Sequence, residues 1–481
     1  MISKNVNSPS HAMTGLHSIG RFGIILSMVL GGLMLFYFVA WQHNALVLRQ
    51  DSYGYIEVAK DLRDGRLDEI HNRTIGYAVL LLLTGVTDES SSMVGLFGLQ
   101  LFMHFGALAF AAFTLRALKV HYSASIVVLI VLAAEPLIVG AAGLLMSETL
   151  TIFLLTVGTC SLLLYLAGRP FVWAVLSATC LGYMGIVRPT FQLQTVITGG
   201  VLVLAALVTP TLRRRNIIAA GLNLALSALF VGGMLFYNYQ AFGFTGLTPL
   251  AGYNLATRTS HALELIPDKY ADVREILIRY RNETVSTEPH DTNPIGYTRY
   301  IWAAVPELEE ELGMNDLELA EFLTPLFADL IRRAPNLYME EVSIAVGNYI
   351  QPFSPSPKLV AGLPLVLLSA FHLLKMVFVM TMIGLAVSGL LAYATADKSV
   401  RRVIGARLSD FDRAKFVGIA LWVMLSIYNM LISVAMDVGS PRQRLPTDMM
   451  LILAAVVALD YLLRSRQSLP LLLRSFQSNP A

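Results

Sequence analysis

Charge is what this chain has least of. Only 14% of its 481 residues are charged, against roughly a quarter in an average soluble chain. With 55% of residues hydrophobic, there is too little polar surface to wrap an ordinary core, so a bilayer must act as part of the solvent. The net charge of +2 excludes a strongly basic nucleic-acid-binding surface. There are two cysteines, Cys160 and Cys180, both within apolar runs, which argues against a disulfide framework or a cysteine metal site. No P-loop and no dinucleotide fingerprint are present, so nothing reads as a soluble nucleotide-binding domain. Internal repeats and low-complexity tracts are also missing.

What the chain has is long apolar runs. A spanning helix needs about 20 mostly apolar residues, and about ten segments qualify: 22–42, 93–115, 123–143, 149–167, 171–187, 191–211, 217–237, 372–394, 415–436 and 447–463. The first is too long for a signal peptide and ends at Trp41 without a small-residue cleavage site, so it reads as an uncleaved span. Segment 76–86 is apolar but short and is placed at the interface, with 359–371 as another interfacial candidate. The fold class is all-α and polytopic. The spans divide into an N-terminal module (1–237), a large outer segment (238–371) and C-terminal helices (372–481).

Lysine and arginine set the orientation. With the N-terminus inside, the inner segments carry Arg116, Lys119, Arg169, Arg213, Arg214, Arg215, Arg401, Arg402 and Arg464, among others. The first outer segment, 43–92, opens with Asp51 to Leu62, where Tyr55, Ala59 and Leu62 share one helical face and Glu57, Lys60 and Asp61 lie elsewhere. That pattern suits an amphipathic helix lying in the interface. The second outer segment contains an amphipathic stretch, 315–334, ending before Pro335.

Ionisable residues at a membrane boundary are costly and invite a functional question. Asp51 stands at the start of the interfacial helix, where it could be an N-cap. Glu148 follows Ser147 at the outer start of span four, which suits a serine cap with an acid in the first helical turn. The topology puts both acids on one side, where two carboxylates can share an acceptor hydroxyl or a divalent cation. Arg188, before Pro189, can snorkel to the interface or bind a phosphate in a bidentate manner. Arg442 and Arg444 lie outside, against the positive-inside trend. Arg258 and His261 are isolated in the large outer segment, and His104, within span two, reads as a packed, hydrogen-bonded imidazole.

These residues carry a resemblance. Asp51-Ser52-Tyr53-x-Tyr55-Ile56-x-x-Ala59-x-x-Leu62-x-x-Gly65 resembles the first outer loop of the GT-C membrane glycosyltransferases, most closely the protein O-mannosyltransferase and aminoarabinose transferase branch. Arg73-Thr74-Ile75-Gly76-Tyr77 is similar to that family's R-x-P-G-Y step, with Ile75 where proline is usual. Met146-Ser147-Glu148, Arg188-Pro189-Thr190, Asn238 to Gly243 with Gly252 to Leu255, and Arg442-Gln443-Arg444-Leu445-Pro446 resemble later elements in the family's order.

The resemblance implies a GT-C-like fold and a reaction: an inverting transfer of a sugar from a polyprenyl-phosphate carrier to a glycolipid, lipopolysaccharide, polysaccharide or protein acceptor. The site would face outward, as in a multi-pass protein of the bacterial inner membrane facing the periplasm. It implies Asp51 as catalytic base with Glu148 as a second catalytic acid residue. Arg188, Arg442, Arg444 and Arg258 are candidate donor-phosphate ligands; Tyr53, Tyr55 and His261 are candidate substrate-binding residues. A divalent metal, if any, would fall to Asp51 and Glu148. Two rivals stand beside this reading. An O-antigen ligase or polymerase-like protein would rest on loop arginines and a histidine. A transporter or flippase would be expected to show repeats and broken helices near mid-membrane.

Overall fold

A computed structural model of the chain describes residues 26–40, 46–66, 72–134, 136–208, 212–287, 300–351, 410–437 and 439–477, with scattered positions between 373 and 384. Among these residues the chain is almost wholly helical, and its only β-type pairing is an isolated parallel bridge between Val47 and Leu144. In chain order the helices of the N-terminal module are α1 (Leu26–Ala40), α2 (Gln50–Asp64), α3 (Ile75–Leu83), α4 (Val94–Ala117), α5 (Tyr122–Ala134), α6 (Pro136–Ala141), α7 (Glu148–Leu166), α8 (Val172–Val187), α9 (Gln194–Val208), α10 (Arg213–Ser227) and α11 (Gly233–Phe242). The segment that follows holds α12 (Leu250–Thr257), α13 (Ala271–Thr287), α14 (Tyr300–Leu312), α15 (Asp316–Arg333) and α16 (Pro335–Ile350), and the last described helices are α17 (Asp410–Met436) and α18 (Pro441–Gln477).

Among the described residues five stretches are long and apolar enough to cross a bilayer: Val94–Ala117, Glu148–Leu166, Pro189–Leu207, Arg213–Phe242 and Arg413–Met436. The expected spans 22–42 and 171–187 correspond to the shorter apolar helices α1 and α8. Span 123–143 is divided between α5 and α6, and 447–463 lies inside α18. Segment 359–371 lies outside the described residues, and 372–394 almost wholly so. A π turn at Ala228–Gly232 joins α10 to α11, so one helix of 30 residues runs to Phe242, past the expected boundary at 237.

Burial separates the helices by role. The most apolar window of α7 is 89% buried within the protein, while that of the α10–α11 helix is only 22% buried. The first is the central post of the bundle; the second turns Leu224, Leu229 and Phe236 outward, as a lipid-facing helix would. The amphipathic face of α2 meets protein: Tyr55, Ile56, Val58 and Ala59 are buried in the bundle's core, while Glu57 and Lys60 stay exposed. Helices α12 to α15 form a separate apolar core around Tyr253, Tyr300 and Phe327. Helix α15 spans almost the stretch its periodicity predicts. Asn315 caps it by accepting from Glu318 N–H at 3.0 Å, and Glu318 reciprocates to Asn315 N–H at 3.0 Å.

Candidate active site

Four helix ends and one loop meet at the Asp51 end of the bundle. Helix α2 is fixed first. Ser52 Oγ accepts from Arg49 N–H (2.9 Å) and donates to Leu145 C=O (2.8 Å), tying the first turn to the strand-like segment before α7. The Val47–Leu144 bridge, with Val47 N–H to Gly143 C=O at 2.9 Å, supports the same contact. The side-chain amide of Gln100 on α4 donates to Ala142 C=O and Leu144 C=O, both at 3.0 Å, and accepts from Tyr77 OH on α3, also at 3.0 Å. One buried amide thus locks three elements together.

Two close approaches bring in the loop before α3. A β-carbon at Gly76 would lie 2.5 Å from the Ile186 carbonyl oxygen and 2.6 Å from Val187 N. Only glycine lets α3 start against the end of α8, and Tyr183 OH then reaches Gly76 C=O at 2.7 Å. At Gly54 a β-carbon would sit 3.1 Å from Arg73 Cγ, so its absence lets Arg73 lie across α2 toward Asp51. Arg188 ends α8 in an extended conformation (φ −144°, ψ 107°), as expected of a residue before proline. A cation at that C-terminus faces an acid, Glu148, at the N-terminus of α7; both suit their helix dipoles.

The charges alternate along a chain. Arg73 Nη2 meets Asp51 Oδ1 at 2.6 Å, and Arg442 Nη2 meets Asp51 Oδ2 at 2.6 Å. Arg442 Nε meets Glu148 Oε1 at 3.1 Å, and Arg188 Nη1 approaches the same oxygen at 3.5 Å. Three guanidiniums against two carboxylates leave one positive charge in excess. Glu148 Oε2 and Arg188 Nη1 are buried without a hydrogen-bond partner. Burial alone would push the Asp51 carboxyl up, but Arg442 and Arg73 outweigh it and hold it below the ordinary aspartate value. Tyr55 OH meets Ser147 Oγ at 3.2 Å, and Arg73 lies 5.7 Å from the centroid of the Tyr55 ring.

This geometry corrects the two capping readings. Helix α2 begins at Gln50 behind Arg49, so Asp51 sits inside its first turn with its carboxylate turned to arginines. Ser147 precedes α7 without a side-chain capping bond, and its hydroxyl pairs with Tyr55 instead. His104 is a packed imidazole, buried against Phe105, with Nε2 lacking a hydrogen-bond partner.

Of the residues singled out from sequence, Asp51, Tyr55, Glu148, Arg188 and Arg442 come together. Tyr53, two residues from Asp51, is 47% exposed. Arg444 is engaged elsewhere, with Asp448 at 3.0 Å and the carbonyls of Tyr349 and Gln351, which ties α16 to α18. Arg258 and His261 belong to a second cluster, between the end of α12 and α16. There Arg258 donates to Glu341 C=O at 2.9 Å, and Glu341 Oε1 accepts from Ser260 Oγ at 2.6 Å and pairs with His261 Nδ1 at 2.5 Å. Burial raises the Glu341 carboxyl, but the bonds from His261 and Ser260 prevail and hold it below the glutamate value; His261 is raised by the same bond.

Arg73 and Gln100 were not among the candidates. Arg73 stood in the Arg73-Thr74-Ile75-Gly76-Tyr77 step, and its signal was the glycine that brings it close. Gln100, a lone amide in an apolar run, offered none of the charge that drew attention elsewhere. Asp51 and Glu148 do not make a cation site as they stand. Arg442 bridges them, so a divalent ion between the carboxylates would meet a guanidinium. Among the described residues no three His, Cys, Asp or Glu side chains gather to hold a metal.

No protein-family model matches the chain, and no curated protein matches it. The solved structures similar to the chain include two oligosaccharyltransferases. One is the archaeal oligosaccharyltransferase AglB from Archaeoglobus fulgidus in complex with an inhibitory peptide and a dolichol-phosphate, at 12% identity and TM-score 0.44 over 93% of this chain and 52% of that one. The other is the Archaeoglobus fulgidus oligosaccharyltransferase tethered to an acceptor peptide containing the NVT sequon, at 12% identity and TM-score 0.44 over 92% and 50%. The chain spans about half the length of each.

Proposed function

We propose that this chain is an inverting, GT-C-type glycosyltransferase that moves a sugar from a polyprenyl-phosphate carrier to an acceptor hydroxyl at the outer face of a membrane. One observation carries the reading: an uncompensated arginine–carboxylate chain at one end of an apolar helical bundle, with partnerless buried atoms on Glu148 and Arg188. A carrier's apolar tail stays in lipid while its phosphodiester, with one negative charge, matches the excess positive charge of the cluster. Arg442 and Arg188 are among the phosphate ligands in this reading, and Glu148 holds both of them in place.

The reaction balances without an added acid. The acceptor oxygen attacks the anomeric carbon, its proton passes to Asp51, and the bond from that carbon to the phosphate oxygen breaks with its electron pair on the phosphate. Guanidiniums stabilise that leaving group, so one carboxylate suffices, unlike the acid–base pair of glycoside hydrolysis. Displacement in one step inverts the anomeric centre. The acceptor is a glycolipid, lipopolysaccharide, polysaccharide or protein, and a bacterial inner membrane with the site toward the periplasm is the setting that fits the basic inner loops.

The test is twofold. Mass spectrometry should find a glycolipid or glycan species that is present in cells with the protein and missing without it. Purified protein should transfer sugar from a polyprenyl-phosphate donor and lose that activity as Asp51→Asn. Identical glycan profiles in both cell lines would refute the reading.

A further inference from the structure

The proposed base is in the wrong company for a base. Both oxygens of Asp51 are held by guanidiniums at 2.6 Å, one from Arg73 and one from Arg442. A carboxylate bridging two cations accepts a proton poorly, because opposite charges nearby favour its ionised form. The three arginines around it point the same way, and Glu148 opposes them. From its own helix comes only the neutral Tyr55. The loop before α3 gives Arg73, α18 gives Arg442, the end of α8 gives Arg188, and the start of α7 gives Glu148, itself paired with Arg442 and Arg188.

Access to these groups is uneven. The side chains of Asp51, Arg73 and Arg442 keep 24%, 25% and 28% of their exposure, while Glu148 keeps 1% and Arg188 10%. Glu148 and Arg188 are the buried back of the cluster; Asp51 and its two arginines are its mouth. An anion arriving from outside therefore reaches first the two guanidiniums that Asp51 already occupies. Arg442 cannot swing wholly away, because its Nε remains tied to Glu148 at 3.1 Å. Among the described residues Arg73 has no such second anchor in the cluster; Gly54 and the Tyr55 ring, its centroid 5.7 Å away, lie beside it.

We propose that Asp51 and the donor's phosphate compete for the same two guanidiniums, so that docking of the phosphate is what frees Asp51 to accept the acceptor's proton. Arg73 is the positioning residue of this exchange: it restrains Asp51 beforehand and turns to the phosphate on binding. The proposal rests on the glycosyltransferase reading for its ligand and extends it in one respect, that the base is released only where a donor is seated. No bond is made or broken in the exchange; one ion pair replaces another. The consequence is that water or an acceptor alone meets a masked carboxylate.

The experiment measures binding of a polyprenyl methyl phosphodiester, a donor mimic without a sugar to transfer, to detergent-solubilised full-length protein. Competition predicts that Asp51→Asn binds it more tightly than wild type. A charge-assisted contact is worth about 1.5–3 kcal/mol, so the gain is about tenfold or more. Arg73→Ala should bind at least about tenfold more weakly, with Arg73→Lys recovering part of the loss. A purely structural role for Asp51 or Arg73 would not produce a gain of affinity in the Asp51→Asn protein. Unchanged or weaker binding by Asp51→Asn overturns the competition while leaving the glycosyltransferase reading standing. Absence of binding by the wild-type protein overturns both.

Discussion

Helix α18 carries an ionic cluster at each of two levels, and the two are built differently. At its start Arg442 joins the Asp51 cluster; further along, Asp460 pairs with Lys415 of α17 at 2.8 Å. At about 1.5 Å rise per residue the two levels lie about 27 Å apart, close to the thickness of a bilayer's hydrocarbon core. The Lys415–Asp460 cluster is closed. Asp460 also accepts from His121 N–H at 2.7 Å and from Arg464 at 3.2 Å, and no polar atom of Lys415 or Asp460 is among those buried without a partner. The Asp51 cluster instead holds two buried atoms that lack a hydrogen-bond partner, Glu148 Oε2 and Arg188 Nη1. Since buried polar groups are normally satisfied, the closed cluster reads as architecture and the open one as a place built for something else.

That comparison can be broken at either level. The largest effect belongs to Asp51→Asn. Turnover with a polyprenyl-phosphate donor should fall by about 10²- to 10⁴-fold, a loss read per folded molecule because the ion pairs of Asp51 with Arg73 and Arg442 are weakened as well. Initial-rate assays on matched amounts of folded protein decide it. Near-normal turnover would move the search for a base to Glu148.

Next is Lys415→Ala, the mirror experiment. Removing one partner of a buried pair costs about 3–5 kcal/mol, and the low end applies because Arg464 still reaches Asp460. Denaturant unfolding in detergent should show the loss, with turnover per folded molecule unchanged. If instead turnover fell without loss of stability, the closed cluster would not be mere architecture.

Arg188→Ala and Arg442→Ala should each weaken donor binding by roughly ten- to a hundred-fold, the value of a charge-assisted contact of about 1.5–3 kcal/mol. Equal affinity in both variants, read by titration with labelled donor, would take these arginines out of the site.

The smallest effect concerns the second cluster, between the end of α12 and α16. The raised His261 value means that its pairing with Glu341 stabilises the fold fully below about pH 6.5 and is lost as pH rises through the raised value. The lowered Glu341 value means that its share is present above about pH 4.3 and lost below it. Because the His261 side chain is 37% exposed, solvent screens the pair and the change is small. Thermal unfolding should therefore drop slightly between mildly acidic and alkaline pH, and His261→Gln should flatten that drop.

How much of this could be read from the chain alone differs from residue to residue. The helices were legible because apolar runs and the 3.6-residue period are local; α15 appears almost where the pattern puts it. Asp51, Glu148, Arg188 and Arg442 were legible as costly charges beside apolar runs. Arg444 and Arg442 were not distinguishable, since they sit two residues apart on α18 and differ only in what lies across from them: Asp448 and two carbonyls for one, Asp51 and Glu148 for the other.

By itself the sequence determined that this protein is helical and apolar, where its charges are scarce, and which few of them stand at the ends of spans. Those are properties of composition and of short windows, set by desolvation of the backbone and by periodicity. Tertiary structure alone decided that Arg73 joins the cluster, that Gln100 locks three elements beneath it, and that Asp51 is bound by two cations instead of capping its helix. The physical reason is range. A carboxylate's partner is chosen by distances of 2.6 Å between residues that are 22 and 391 positions apart in the chain, and no local pattern encodes such a meeting.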